Sequence, residues 1–248
     1  MKTFFAMFRT TLRQLLGGKG GLIVSLLLAA LPTLVTFIQT REGPPSRAFS
    51  HFHDAAIPIL FIFVLPVVSL VFGASALGDE RRDQTLSFLL LRPQPRAAIA
   101  GAKLLAAWVL SFLVVGGAAA AAAAVVGIYG GDWSIVGPII LAMALSTLAY
   151  TSVFLLLGYV TKWAVVAGLA YAFIWESGIS FAVSGLSTIS LFRIGFSSYA
   201  AQVDVPRSLD EILGTLQPGT GGAAAKAIVI GGIAVVVAAG LLRRRDIT

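Results

Sequence analysis

The chain has 248 residues, of which 58% are hydrophobic and only 12% charged, and its mean hydropathy is +0.93. That is the composition of a polytopic membrane protein and excludes a free-standing soluble enzyme or nucleic-acid reader, because the formal net charge of +7 sits in a few clusters between apolar runs, where it reports membrane orientation rather than a polyanionic partner. With no cysteine, disulfides, thiolate chemistry and cysteine-ligated metals are also excluded.

The first element predicted is an amphipathic helix over Met1 to Leu16. Phe4, Phe8, Leu12 and Leu15 recur at helical spacing, with Lys2, Arg9 and Arg13 on the opposite face, a pattern suited to the headgroup layer. A cleaved signal peptide fits less well, since the basic part is too long and the apolar run continues past Pro32 without a small-residue cleavage site. Residues Gly17 to Gly21 read GGKGG but lack the Gly-Lys-Ser/Thr ending of a phosphate-binding loop, so they are read as an elbow. The first span then covers 21–39, close to the ~20 residues that a ~30 Å hydrocarbon core requires.

Thr40 to Asp54 reads as a polar outer loop, and His51 and His53 within it as surface histidines. A metal site needs several convergent ligands, and no second cluster exists to complete one, so no metal is expected. The second span covers 55–77 and contains Pro58 and Pro66, each of which frees a carbonyl that a neighbour or a lined cavity must satisfy. Such a bend suits a gated pathway, and it is also common in membrane helices generally.

Gly78 to Lys103 is the densest charged stretch, GDERRDQTLSFLLLRPQPRAAIAGAK. Asp79 to Leu91 reads as a short amphipathic helix with Leu86, Leu89 and Leu90 on one face, stopped by Pro93 and Pro95, which lack the N–H that a helix interior needs. The third span, 99–128, carries Gly116, Gly117 and the alanine run Ala118 to Ala124, a surface for close helix packing. Tyr129 to Ser134 turns the chain, with Trp133 at headgroup level, and 135–160 is the fourth span. Lys162 marks a minimal turn before a fifth span at 163–176, short for a crossing. A break at Trp175-Glu176 is expected, then one or two short helices in the outer leaflet. Glu176 is the one carboxylate at such a position, a candidate for the pathway or its outer gate, where it would accept hydrogen bonds from free backbone N–H groups or pair with Arg193. A polar outer loop follows from Val203 to Thr220. The last span, 221–242, ends in Arg243, Arg244 and Arg245.

The expected architecture is therefore all-α: a single transmembrane domain over 1–248 with six transmembrane helices. Lysine and arginine concentrate in the N-terminal segment, the central connection, the Lys162 turn and the tail, which places both termini in the cytoplasm.

The central stretch resembles a motif of the type-2 ABC exporter permeases, in which a charged cluster, a Thr-Leu-x-x-Leu-Leu core, Arg-Pro, a basic residue and a Gly-x-Lys open the third span. The matching residues are Glu80, Arg81, Thr85, Leu86, Leu89, Leu90, Arg92, Pro93, Arg96, Gly101 and Lys103; Gln84 stands where many members have glycine. Trp175, Glu176 and Ser177 match the Trp-Glu that often ends the fifth span, and Leu186, Ile189, Ser190 and Tyr199 match a later stretch more loosely. The resemblance implies a permease of the prokaryotic plasma membrane that pairs with a second permease subunit. Each permease would bind a separate ABC ATPase, which supplies the ATP and magnesium chemistry, with Glu80, Arg81, Thr85, Leu86, Leu89 and Leu90 forming the docking helix. Without a nucleophile, an acid–base pair or a metal set in the spans, catalysis by the chain itself is not expected. A gradient-driven permease, or a scaffold without transport, are the other readings. Apolar spans with scattered Ser69, Ser75, Ser146, Thr147 and Thr151 suit a lipid-like or amphipathic cargo, although such hydroxyls usually serve carbonyls of their own helix.

Overall fold

The computed structural model describes residues 2–82, 95–179, 190–205 and 219–244. Among these the protein is all-helical. Helix α1 is Lys2–Gly17, α2 is Lys19–Glu42, α3 is Pro45–Arg82, α4 is Arg96–Gly130 and α5 is Val136–Val160. Helix α6, Ala164–Ala170, continues into the wider turns of a π-helix over Tyr171–Ile179. Helix α7 is Phe192–Ala200 and α8 is Gly219–Arg244.

Helices α2, α3, α4, α5 and α8 are long and apolar enough to cross a membrane. The apolar helix expected as the fifth span, Ala164–Glu176, falls short of that length, and α7, at nine residues, is shorter still. The protein is thus a multi-pass membrane protein with five long apolar helices among the described residues.

The expected polar loop at 40–54 is not one. Helix α2 runs on to Glu42, and the chain re-enters helix at Pro45, so that α3 extends without interruption to Arg82. The prolines explain how so long a helix is built. Pro58 and Pro66 cannot donate to the carbonyl four residues back and their rings crowd it, and next to each the helix opens into a π turn, Phe52–Ala56 and Ile59–Val64. The bend expected at the prolines is therefore absorbed as local widening. At the other end, Gly78 to Arg82 form the last turn of α3, so the charged residues assigned to the start of a separate amphipathic helix belong to the span itself.

Helix α5 is the hub, packed against α3, α4, α7 and α8. Its crossing with α3 depends on missing side chains. A Cβ on Gly78 would sit 2.9 Å from the Gly158 carbonyl oxygen, one on Gly73 3.1 Å from that of Thr151, and one on Gly158 2.6 Å from the Ala74 Cα. On α4 the alanine run does supply a packing face, with Ala118, Ala119, Ala122 and Ala123 buried. The turn from α4 to α5 uses Gly131 at φ +75° as a left-handed cap, its N–H donating to Gly127 O at 3.1 Å. Just beyond, Asp132 accepts from the hydroxyl of Ser134 at 2.5 Å and from its N–H at 2.9 Å, which holds the carboxyl below the usual range.

Helices α2 and α8 are peripheral and turn Ile23, Leu27, Leu34, Ile228, Ile233 and Val236 outward. Helix α1 packs against α4, with Leu15 buried and Leu12 partly buried in the core, leaving Phe5 and Leu16 exposed.

The α3–α5 crossing makes a direct prediction. Gly158→Val should lower stability by about 2 kcal/mol or more, since overpacking at a backbone contact cannot relax by turning a rotamer. Gly137→Ala, at an exposed position on the same helix with nothing within 4 Å of its would-be Cβ, should be neutral or slightly stabilising. Thermal unfolding of the purified variants in detergent separates the two; equal midpoints would show that the crossing is not tight.

Candidate functional site

Functional side chains gather at the C-terminal end of α3 and beside its middle. At its C-terminal end, successive residues of one helical turn point to different neighbours, because each is rotated about 100° from the last. Glu80 points to α4, where its Oε1 lies 2.5 Å from the Lys103 ammonium, and that ammonium also donates to the Ala76 carbonyl at 2.9 Å. Lys103 is 2% exposed. It enters from the second turn of α4 and spends its long stem on apolar contacts before its charge finds the end of α3. Arg81 points instead to α5: its guanidinium donates to the Tyr159 carbonyl and lies 5.8 Å from the centre of the Tyr159 ring. That carbonyl is one of the last four of α5, which have no partner within the helix, so Arg81 caps α5 with a cation at the end of the helix where positive charge is favourable. The Tyr159 hydroxyl in turn donates to the Leu241 carbonyl at 3.3 Å, near the C-terminus of α8. Asp79 and Arg82 pair with each other on the outer side of the turn.

Glu80 and Arg81, assigned by resemblance to a docking helix, are half-buried and form a clasp joining α3, α4 and α5, extended to α8 by Tyr159. The remaining residues of the expected docking set, Thr85, Leu86, Leu89 and Leu90, lie outside the described residues. The sequence reading missed the partners. Lys103 had been matched to a motif but not recognised as the buried counter-charge of Glu80, although a lysine two turns inside an apolar helix is a signal for an intramembrane partner.

Beside the middle of α3, near Phe61, Ile62 and Pro66, stands Glu176. It is 4% exposed and lies in the π turns that follow α6. Its Oε1 accepts from the Tyr171 hydroxyl at 2.7 Å and the Leu191 N–H at 2.7 Å; its Oε2 accepts from the Ser190 hydroxyl at 2.5 Å and the Phe192 N–H at 3.4 Å. These two backbone donors open α7. Four donors thus converge on one carboxylate, which caps the short helix from a distance of fifteen residues along the chain. The wide turn around Glu176 places Tyr171, only five residues earlier, on the same oxygen.

Helix α7 is held in the interior by this cap and by close packing. Phe196, Ser197, Ser198 and Tyr199 are fully buried, and a Cβ on Gly195 would approach the Ala142 carbonyl oxygen of α5 to 2.7 Å. Its far end meets His53. This histidine, expected on the surface, is 0% exposed: its Nδ1 donates to the Phe49 carbonyl at 2.8 Å, which leaves Nε2 to accept from the Tyr199 hydroxyl at 2.9 Å. It became visible only once 40–54 proved helical, since the helix carries it inside. The hydroxyls of Thr147, Thr151 and Ser152 donate to carbonyls four residues back in α5, so they serve their own helix.

The clasp can be tested as an ion pair. Lys103→Met should destabilise the protein by about 3 kcal/mol, because it leaves the Glu80 carboxylate half-buried without its counter-charge. Adding Glu80→Gln should restore a large part of the loss. The check is thermal unfolding of both variants in detergent; a double variant no better than the single would show that the pair is not coupled.

The matches to known proteins follow the same residues. No curated protein matches the chain significantly. The model of the family described as ABC-2 family transporter protein matches residues 20–195. That match runs from the start of α2 to the capped beginning of α7 and takes in both the clasp and Glu176. Since it spans well over half of the sequence, the chain belongs to the ABC-2 family of transporter proteins, membrane-spanning components of ABC transporters.

Proposed function

We propose that the chain is the permease subunit of an ATP-driven ABC exporter, working as a dimer with a second permease subunit. Each permease docks a separate ATPase, which binds ATP and magnesium, and the cargo is a lipid-like or amphipathic small molecule. The observation that carries this reading is the clasp. The last turn of α3 leads directly into the connection at 83–94, and Arg81 ties that turn to the C-terminal end of α5 and, through Tyr159, to that of α8. A partner gripping the connection therefore has a mechanical path into three long helices.

In this reading the clasp face is cytoplasmic, as the basic residues Arg81, Arg82, Lys162 and Arg243 gathered there support. Both termini are then cytoplasmic, in a prokaryotic plasma membrane. Six crossings result if Ala164–Glu176 and the chain after it together complete the fifth. Glu176 then sits at mid-depth and α7 extends from it toward the outer side at His53, so that release of the Glu176 cap would let α7 move and open the pathway.

A buried carboxylate also invites a gradient-driven permease as the alternative. The hydroxyls of Tyr171 and Ser190 and the N–H groups of Leu191 and Phe192 all donate to Glu176, an arrangement that suits a fixed cap on α7. Glu176→Gln turns an amide N–H₂ toward the same donors and should lower stability by about 2 kcal/mol and reduce transport severalfold. Transport should persist when the ion gradient is collapsed. A wild-type rate and unchanged stability in Glu176→Gln would remove the gate role, and loss of wild-type transport with the gradient would favour the alternative.

Docking is tested on the connection itself. In an interface, desolvated apolar anchors dominate the binding energy while rim charges contribute little, so Leu86 and Leu89 are the anchors. Truncating both to alanine should cost about 2 kcal/mol or more, weakening association more than tenfold. The double variant is expected to insert normally yet lose the co-purifying ATPase. Recovery of the ATPase at the wild-type level would sink the docking assignment.

A further inference from the structure

Beside the clasp, between α3, α5 and α6, lies a half-enclosed cavity of about 340 Å³. Its mouth is lined by Arg81, Arg82, Thr161 and Lys162, and its apolar wall by Leu70, Val71 and Val165. We propose that this cavity binds the phosphate headgroup of an anionic phospholipid, with the first acyl carbons against its apolar wall. The site stands apart from the transport reading and does not depend on it.

Three observations identify the occupant. The first is charge. Three cations reach the mouth, and among the described residues no carboxylate lines the cavity. Arg82 shares its charge with Asp79, and Arg81 gives one donor to Tyr159, but Glu80 is turned away to Lys103, so the mouth keeps a positive excess. A guanidinium retains further N–H donors after one contact, and a phosphodiester is the anion that several such donors fit.

The second is the gradient from polar to apolar. Arg81 and Leu70 are eleven residues apart on one helix, so the wall runs roughly 16 Å from the charged end of α3 toward the interior of the membrane. A soluble anion would use only the mouth. An amphiphile uses both.

The third is the opening. Val165 lines the cavity and is 56% exposed, and its neighbour Val166 is 59% exposed, so the apolar wall continues onto the outward face of α6. Trp163 is also exposed, with the Lys162 ammonium 6.0 Å from its ring centre, as a residue at headgroup level should be. A lipid can thus place its headgroup in the cavity while its chains stay in the bilayer, an arrangement closed to a soluble peptide. The volume, at the lower end of about 300–1,000 Å³ for small-molecule sites, suits a headgroup and not a whole lipid.

The experiment uses the purified full-length chain in detergent, titrated separately with short-chain phosphatidylglycerol, short-chain phosphatidylcholine and inorganic phosphate. Bound lipid is counted by native mass spectrometry and thermal unfolding is followed in parallel. Phosphatidylglycerol should bind and raise the unfolding midpoint, whereas phosphatidylcholine and phosphate should do neither at the same concentration. Arg82→Gln with Lys162→Gln should weaken phosphatidylglycerol binding by about tenfold or more, since each basic residue near an anionic headgroup contributes substantially. Val165→Trp obstructs the apolar wall where it opens to the bilayer while keeping every cation. It should weaken binding as well, and it serves as the test if the charge variant fails to fold. Equal binding of the two lipids, wild-type binding by the folded variants, or an equal effect of phosphate alone would each overturn the proposal. So would unaltered lipid binding in variants that lose a co-purifying ATPase, which would assign the surface to a protein instead.

Discussion

A lysine ammonium cannot be left unpaired inside a membrane protein, and the burial of Lys103 dictates much of how one end of this bundle is built. Taking such a charge out of water costs several kcal/mol, which is recovered only with good geometry and with the remaining donors occupied. The Glu80 carboxylate and the Ala76 carbonyl meet both demands, and both lie on α3. The end of α3 is thereby fixed against α4. Once Glu80 is so placed, helical geometry turns Arg81 to α5, where an orphan carbonyl awaits it. One buried charge in this way sets the relative height of three helices.

That arrangement needs the helices to be close. Arg81 reaches Tyr159 because α3 and α5 touch backbone to backbone through Gly73, Gly78 and Gly158, and larger residues there would separate the helices. Midway along α3 the same problem is solved with a different partner. There the short helix α7 enters a tightly packed interior, and its first N–H groups, which would otherwise be unsatisfied, are met by Glu176. His53 fixes its other end from α3. Helix α3 thus carries ionic contacts at one end and a histidine–tyrosine contact at the other, and the wide turns beside its two prolines let a single helix serve both.

The all-helical membrane class, the helix at the N-terminus and the packing face of α4 were legible from composition and periodicity, and so were the hydrogen bonds of Glu176 to backbone N–H groups, from the rarity of carboxylates in apolar sequence. The family was legible from the charged stretch and the Gly-x-Lys that follows it. What failed to show were relations between distant residues. Polarity at 40–54 reads as a loop because Glu42, Arg47 and Asp54 cluster there, yet the segment is helical at a membrane boundary where such residues face water. The same misreading put His53 on the surface. Glu80 and Arg81 read as charges of a docking helix, and only the tertiary structure shows that they also meet Lys103 and a backbone carbonyl.

The clasp and the Glu176 cap differ in a way that bears on motion. The clasp joins long helices through a buried ion pair and carbonyl contacts near helix ends, so it transmits displacement without itself needing to break. The Glu176 cap concentrates four hydrogen bonds on one carboxylate and holds a helix of only nine residues, which has too few hydrogen bonds of its own to stay ordered without external support. Displacing Glu176 removes two N-terminal contacts of α7 at once, together with the Tyr171 and Ser190 hydroxyls that brace them. Strain entering at the clasp and travelling along α3 and α5 would meet its least robust link there, because α5 contacts α7 directly at Gly195. The clasp and the Glu176 cap are thus connected by the same pair of helices, so a displacement at the C-terminal end of α3 has a packed path to α7.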